Sequence, residues 1–250
     1  MSGPGMSGPG MSRRVLITGG GTGIGRAIAR AFAAQGDAVT ITGRREAPLL
    51  ETAAGHAMTI RTADATSESD MAALFEAPFD VVIANAGGGH AAKVSDLTLE
   101  QWNATLAVNM TSTFLTFREA LRGMGSGGRL IAIASTSALQ GGANIPAYAA
   151  AKHGVLGLVR SIAQDVAPRG ITCNAICPGF VDTEMAENAV AGVMKRFDIP
   201  HEKALKMVVG GNPMRRLIAP EEVAATALFL ASAGASSVNG HALSVSGGEV

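Results

Sequence analysis

From residue 13 onward, short apolar runs alternate with longer stretches whose apolar positions recur every three to four residues. The short runs are RVLITG (14–19), AVTIT (38–42), AMTIRT (57–62), FDVVIANAG (79–87), GGRLIAIAS (127–135), GITCNAICPG (170–179) and HALSV (241–245). Their length and bounding turn residues predict strands. GIGRAIARAFAAQG (23–36) has helical periodicity and stops at Gly36. A long helix is expected over 97–121, where Thr98 and Gln101 have the spacing of a capping box. Two more are expected: 147–168, halted by Pro168–Gly170, and 220–232, with Pro220 in its first turn. Buried strands alternating with helices predict an α/β fold, a doubly wound parallel sheet covered on both faces. Ligands of such sheets bind beyond the carboxyl ends of the strands. The residues that follow each strand are therefore the ones to read for chemistry.

Composition narrows the class. The 250 residues are 47% hydrophobic and 16% charged, which suits a globular core. Lys+Arg and Asp+Glu number 20 each, so net charge draws the protein neither to nucleic acid nor to an anionic membrane. No apolar run reaches the ~18 residues of a membrane span. The first residues lack the charged and apolar regions of a secretion signal, so a cytoplasmic protein is expected. Cys173 and Cys177 share a strand face without a Cys/His partner pair nearby. They read as buried reduced thiols, and no metal site is expected. Residues 1–12, with MSGPG repeated, read as a disordered tail, leaving one domain over 13–250.

After the first strand comes TGGGTGIG, Thr18 to Gly25. Gly19 permits a tight turn, Gly23 lets backbone approach a pyrophosphate, and Gly25 lets helix and sheet pack closely. Gly21, Thr22 and Ile24 complete the turn. The helix that starts here points free N–H groups and a positive dipole end at a bound phosphate. Asn85, Ala86 and Gly87 end the fourth strand, where small residues let the chain pass under a ligand. Asp64 and Ala65 follow the third strand and are candidate cofactor contacts, with a solvated Asp capping the next turn as the alternative for Asp64.

YAAAK places Tyr148 and Lys152 one turn apart on one helix face. A free tyrosine ionises near ~10 and is a poor acid–base at neutral pH. An adjacent lysine ammonium is expected to lower that value. Ser135, thirteen residues before Tyr148 and at the end of the fifth strand, has a hydroxyl able to hold a carbonyl oxygen. Tyr148 is the chain's one tyrosine.

TGGGTGIG, NAG, Asn109, Ser135, YAAAK and PGFVDT follow one another in the order and spacing of the short-chain dehydrogenase/reductase family, which the chain resembles from about residue 13 to its end. The resemblance implies a single Rossmann-like domain with a seven-stranded parallel sheet. It also implies hydride transfer between a nicotinamide and a carbonyl/alcohol pair, with a tetrad of Asn109, Ser135, Tyr148 and Lys152. Asn109 would support a water that relays protons past Lys152, and Lys152 would also hold the nicotinamide ribose. Pro178, Gly179, Val181 and Thr183 would hold the nicotinamide end. Homodimers or homotetramers through the helices over 98–122 and 147–168 are implied as well.

Residues 184–212 mix charge with apolar residues at helical spacing (Met185, Ala189, Val193, Met194, Phe197) and read as a helical lid. Met185 and Met194 suit an adaptable apolar pocket. GGGHAAK (87–93), with His90, is expected to form the opposite wall. The pattern is nearest to 3-oxoacyl reductases and ketoreductases, so a 3-oxoacyl thioester or related ketone is the expected substrate. In the carrier-protein reductases two arginines dock the acidic carrier. Arg169 matches one of them, whereas Ser126 stands at the other. Ser246 replaces the usual Asp of the terminal VDGG.

Coenzyme choice is read from ITGRRE (41–46). NAD sites place Asp or Glu here to bind the ribose 2′-hydroxyl, but position 43 is glycine. Arg44 follows, and a guanidinium binds a 2′-phosphate well; Arg45 adds charge beside it, opposed by Glu46. NADP(H) is expected over NAD(H). Thr22 stands where many NADP-using relatives carry a basic residue. Two rival readings remain: NAD-dependent oxidation of a secondary alcohol or 3-hydroxyacyl substrate, and a non-enzymatic dinucleotide sensor, which would not need the intact tetrad.

Overall fold

The computed structural model describes residues 12–89 and 91–250. The expected tail therefore lies outside the described residues except for Ser12, and so does His90. In chain order the elements are β1 (Arg14–Thr18), α1 (Gly23–Ala34), β2 (Ala38–Gly43), α2 (Glu46–Ala53), β3 (Met58–Thr62), α3 (Glu68–Leu74), β4 (Val81–Ala84) and α4 (Leu99–Leu106). They continue with α5 (Ser112–Gly123), β5 (Arg129–Ile133), α6 (Pro146–Val166), β6 (Thr172–Pro178), α7 (Glu184–Phe197), α8 (His201–Val208), α9 (Pro220–Leu230) and β7 (Ala242–Val245).

The strands form one parallel sheet in the order β3-β2-β1-β4-β5-β6-β7. Alternation along each strand feeds two cores. Val15, Ile17, Val81, Ile83, Ile131 and Ile133 pack with α1 and α9 on one face. Leu16, Val82, Leu130, Ala132, Cys173 and Cys177 pack with α5 and α6 on the other. Both cysteines are buried and free, as their shared face requires. Burial pushes the Cys177 thiol up to about 11 and Cys173 further still, so both are thiols at neutral pH.

The expected helix over 97–121 is there, and Thr98 caps it as the spacing required, with both capping-box hydrogen bonds formed. It is not uniform, however. Residues Ala107–Thr111 form a π turn between α4 and α5. Such a turn holds one extra residue per hydrogen-bonded ring, and here it carries Asn109. Two short helices, α2 and α3, were not expected from periodicity. Each buries only two side chains, Leu49 and Thr52 in α2 and Met71 and Leu74 in α3, too few for a repeating stripe.

Strand order reverses direction between β1 and β4, which are neighbours although consecutive strands step outward to β2 and β3 on one side and to β5, β6 and β7 on the other. The crevice opened by that reversal lies beyond the carboxyl ends of β1 and β4 and is where a ligand of such a sheet binds. The glycine turn and Asn85–Gly87 border it. Among the described residues, no helix is long and apolar enough to cross a membrane.

Candidate active site

The turn after β1 is held by a small polar knot. Thr18 Oγ1 accepts the backbone N–H groups of Asn85 (3.0 Å) and Ala86 (3.2 Å), and Asn85 Nδ2 donates to the carbonyls of Thr18 and Gly19, both at 3.0 Å. Gly19 turns with φ +65°, a conformation that favours glycine. A Cβ at Gly25 would collide with the Gly19 carbonyl oxygen, so α1 starts flush against the turn. The Asn85 amide is thus spent on the protein, and it shapes the ligand crevice from behind. Thr18 does the same work, and its place directly before the turn glycine was the available sequence signal.

Thr22 caps α1 in an extended conformation with no side-chain bond, leaving the first N–H groups of the helix to face the crevice. A Cβ at Gly21 would press on Pro48 at 3.0 Å, and Ile24 packs on the core beside it. A Cβ at Gly23 would meet the Thr183 methyl at 3.1 Å. The loop after β6 therefore closes over the glycine turn. In that loop Val181 pairs with Ile218 and is buried, Thr183 Oγ1 donates to the Val181 carbonyl at 3.1 Å, and Gly179 donates its N–H to Val245.

At the other end, β2 stops at Gly43, and Arg44 and Arg45 are exposed. Among the described residues neither guanidinium has a hydrogen-bonding partner, and Glu46 does not pair with Arg45. Arg45 is instead the residue that opens α2. Asp64 Oδ1 accepts the backbone N–H and hydroxyl of Thr66 at 2.9 and 2.8 Å, so the carboxylate caps its own turn. Ala65 packs partly buried on the α3 core.

Beyond β5 the tetrad residues converge. Lys152 is 4% exposed, and its ammonium donates to the Ile133 carbonyl at 2.8 Å. Its nitrogen lies 5.5 Å from the centre of the Tyr148 ring. Ser135 lies two residues past the strand and accepts the Ser137 N–H at 3.1 Å. Gly87 is the floor between them: a Cβ there would stand 2.9 Å from Asn109 Oδ1 and 3.4 Å from Lys152 Nζ. Gly89 packs on the Tyr148 ring at 3.4 Å, and Ala92 N–H donates to the Asn144 carbonyl. Gly87, Gly89 and Ala92 thus lie against Asn109, Tyr148 and the loop before α6. Asn109 is fully buried, and its amide is committed to Gly88 N–H, the Gly88 carbonyl and the Thr105 carbonyl. The side chain locks the wall to the π turn.

Burial pushes the Tyr148 phenol above its ordinary value, and the Ser135 hydroxyl only partly opposes this. The same burial acts on Lys152 and brings its ammonium down to about 8. The lysine is held by Ile133 and Tyr148 is held protonated.

Residues 184–212 fold largely into α7 and α8, which pack on each other. Ala186, Val190 and Ala204 are buried and Met194 is partly so, while Met185 and Phe197 are exposed, at 56% and 49%. Arg169, a possible carrier-docking residue, donates to the carbonyls of Leu121 and Met124 and ties down the end of α5. Ser246 is buried and shares a 2.8 Å hydroxyl contact with Ser244. Among the described residues no group of three or more His, Cys, Asp or Glu could hold a metal.

The depressed lysine makes a stability prediction. Between about 8 and its unfolded value near 10.5, the folded protein has lost a proton that the unfolded chain keeps. Stability therefore rises with pH through that window, and the cost of the buried charge is fully present below it. Relative to Lys152→Met, the parent should gain roughly 2–3 kcal/mol between pH 7.5 and 10.5 in urea unfolding. A difference that stays flat with pH would contradict the buried ammonium.

Comparison with known proteins agrees with this geometry. A family model described as enoyl-(acyl carrier protein) reductase matches residues 19–249. The D-beta-hydroxybutyrate dehydrogenase of Cupriavidus necator is 36% identical over 95% of this chain and 98% of its own length. The 2-dehydro-3-deoxy-D-gluconate 5-dehydrogenase of Bacillus subtilis is 36% identical over 94% of each chain. Among solved structures, a variant of actinorhodin polyketide ketoreductase with NADPH superposes with a TM-score of 0.89 at 33% identity, covering 95% of this chain and 97% of that one. The chain belongs to the short-chain dehydrogenase/reductase family of oxidoreductases, on its single Rossmann-like domain with a seven-stranded parallel sheet.

Proposed function

We propose that the protein is an NADP(H)-preferring ketoreductase acting on a 3-oxoacyl thioester or a related neutral ketone. The observation that carries the reading is the convergence of Ser135, protonated Tyr148 and buried Lys152 between the 87–93 wall and the glycine turn. The actinorhodin ketoreductase crystallised with NADPH supports it. The second reading, oxidation of a 3-hydroxy acid with NAD, draws support from the hydroxybutyrate dehydrogenase.

The cradle fits a dinucleotide. A Cβ at Gly19, Gly23 or Gly87 would press on Asn85, Thr183 or Asn109, so glycine lets these segments pack closely around the crevice, and α1 points unpaired N–H groups into it. Gly19, Gly21, Thr22, Gly23, Ile24 and Gly25 would line the pyrophosphate. Asp64, Ala65, Asn85 and Ala86 would border the adenosine. Pro178, Gly179, Val181 and Thr183 would border the nicotinamide, and Lys152 its ribose. Bound nicotinamide supplies the hydride. Ser135 and Tyr148 hydrogen-bond the substrate oxygen as charge grows on it, and Tyr148 gives up its proton. Lys152, charged at and below neutral pH, stabilises the phenolate left behind. The Asn109 amide is already used, so its part in a proton relay falls to its main-chain carbonyl in the π turn. His90, with Met185 and Met194 on the lid, would border the substrate. Subunits would pair through α4, α5 and α6, where Phe114 remains 43% exposed.

The coenzyme reading rests on Gly43, which offers no carboxylate, and on Arg44 beside it. Arg44→Asp should cut the NADPH-over-NADH affinity ratio about tenfold or more, read by fluorescence titration of both coenzymes. Equal affinities in the parent would return both arginines to the solvent. Tyr148→Phe should bind NADPH within a few-fold of the parent yet lose roughly 10²–10⁴ of kcat with a ketone panel. Retained turnover in that variant would remove Tyr148 from the chemistry.

A further inference from the structure

The C-terminal tail places a carboxylate at the substrate entrance. After β7 the chain turns at Gly247 and Gly248, with φ of +66° and +92°, and runs along Asn212 and Pro213 at the end of the lid. This brings Glu249 back over the carboxyl end of the sheet. A Cβ at Gly179 would lie 3.0 Å from Glu249 Oε2, and one at Gly211 would lie 3.6 Å from its Cγ. Gln140 Nε2 donates to Glu249 Oε1 at 2.9 Å. Gln140 belongs to the loop joining Ser135 to Tyr148, and Gly179 to the loop that borders the nicotinamide end. On the ketoreductase reading, a substrate carbonyl reaches Ser135 and Tyr148 between those two loops. Glu249 therefore stands where the rest of a short substrate has to lie.

The surroundings leave that charge uncompensated. Among the described residues no lysine or arginine forms an ion pair with Glu249. The nearby Arg215 turns its guanidinium onto the Gly210 carbonyl, and Arg216 is paired with Glu222. Exposed apolar side chains stand on the flanking segments, Leu139, Phe180, Met185, Met207 and Met214, and the exposed carboxylates Asp182 and Glu184 follow Phe180. An entrance that offers apolar contacts and negative charge accepts neutral acyl chains and repels a further carboxylate.

We propose that Glu249 sets substrate charge: it excludes free 3-oxo and 3-hydroxy acids and leaves the site to their neutral esters, thioesters and ketones. This rests on the ketoreductase reading above. It separates this chain from the hydroxybutyrate dehydrogenase it resembles, because a hydroxybutyrate carries its carboxylate two carbons from the reacting carbon. That carboxylate cannot be moved away from the entrance once the carbonyl is seated.

The test is a matched pair of substrates, 3-oxobutanoate and its ethyl ester, followed through NADPH absorbance in the full-length protein. Glu249→Gln keeps an oxygen that can accept from Gln140 while removing the charge. The ratio of kcat/KM for acid over ester should rise about tenfold in the variant, mostly through KM for the acid. Added salt should narrow the acid–ester gap in the parent and leave it unmoved in the variant, a response that a purely structural tail would not give. An unchanged ratio in a variant that still reduces the ester overturns the inference alone. A parent that reduces neither compound overturns the ketoreductase reading and the inference with it, and a parent that prefers the acid overturns the inference directly.

Discussion

Everything at the reacting end depends on burying one ammonium. Lys152 is taken out of water between α6 and the sheet and has a backbone carbonyl, Ile133, as its hydrogen-bond acceptor. One neutral acceptor does not replace full hydration, so the proton is held loosely, at about 8. The lysine is fixed rather than free to swing. Gly87 provides the space beside it, and the Asn109 amide holds Gly88 so that this space stays open. The same exclusion of water raises Tyr148 and keeps its proton in place. A site of this kind holds a neutral acid and a cation side by side: burial favours the phenol and disfavours the lone ammonium, so a phenolate formed beside that ammonium would offset part of both costs.

The second dependency is mechanical. Thr18 and Asn85 stitch the ends of β1 and β4 together with four hydrogen bonds, all to backbone groups. This fixes the glycine turn against the sheet reversal and aims α1 across the crevice. Thr183, reaching Gly23 from the loop after β6, ties the far side to it. The coenzyme crevice and the tetrad are thus registered to one another through strand ends, which a parallel sheet holds rigidly, and not through the lid.

The strands and long helices were legible because both carry strong signals: consecutive apolar residues in the strands, period-3.6 stripes and caps in the helices. The capping box at Thr98 and the glycine turn formed as their spacing required. Short helices α2 and α3 were not legible, since two buried side chains each make no period. The π turn at Asn109 was not legible either. It adds one residue to a ring without interrupting the apolar pattern, and only contact with Gly88 explains it. Which residues of α7 are buried was not legible, since Met185 and Phe197 look like core residues but Ala186 and Val190 are the ones buried. Spacing shows that Lys152 is near Tyr148 but not that both groups are buried. The tail was unreadable for a topological reason: Gln140 and Glu249 are far apart in sequence, and they meet only because β7 pairs with β6.

Burial, more than the neighbouring lysine, governs Tyr148 in the coenzyme-free protein. The chain has one tyrosine, so the phenolate absorbance of the whole protein reports this group alone. In an ultraviolet pH titration of the coenzyme-free protein, the account predicts that phenolate appears only above the ordinary tyrosine value near ~10, with no rise between pH 6 and 9. A phenolate signal growing through neutral pH would contradict it, and would return Lys152 to the role of lowering the tyrosine that the spacing alone first implied.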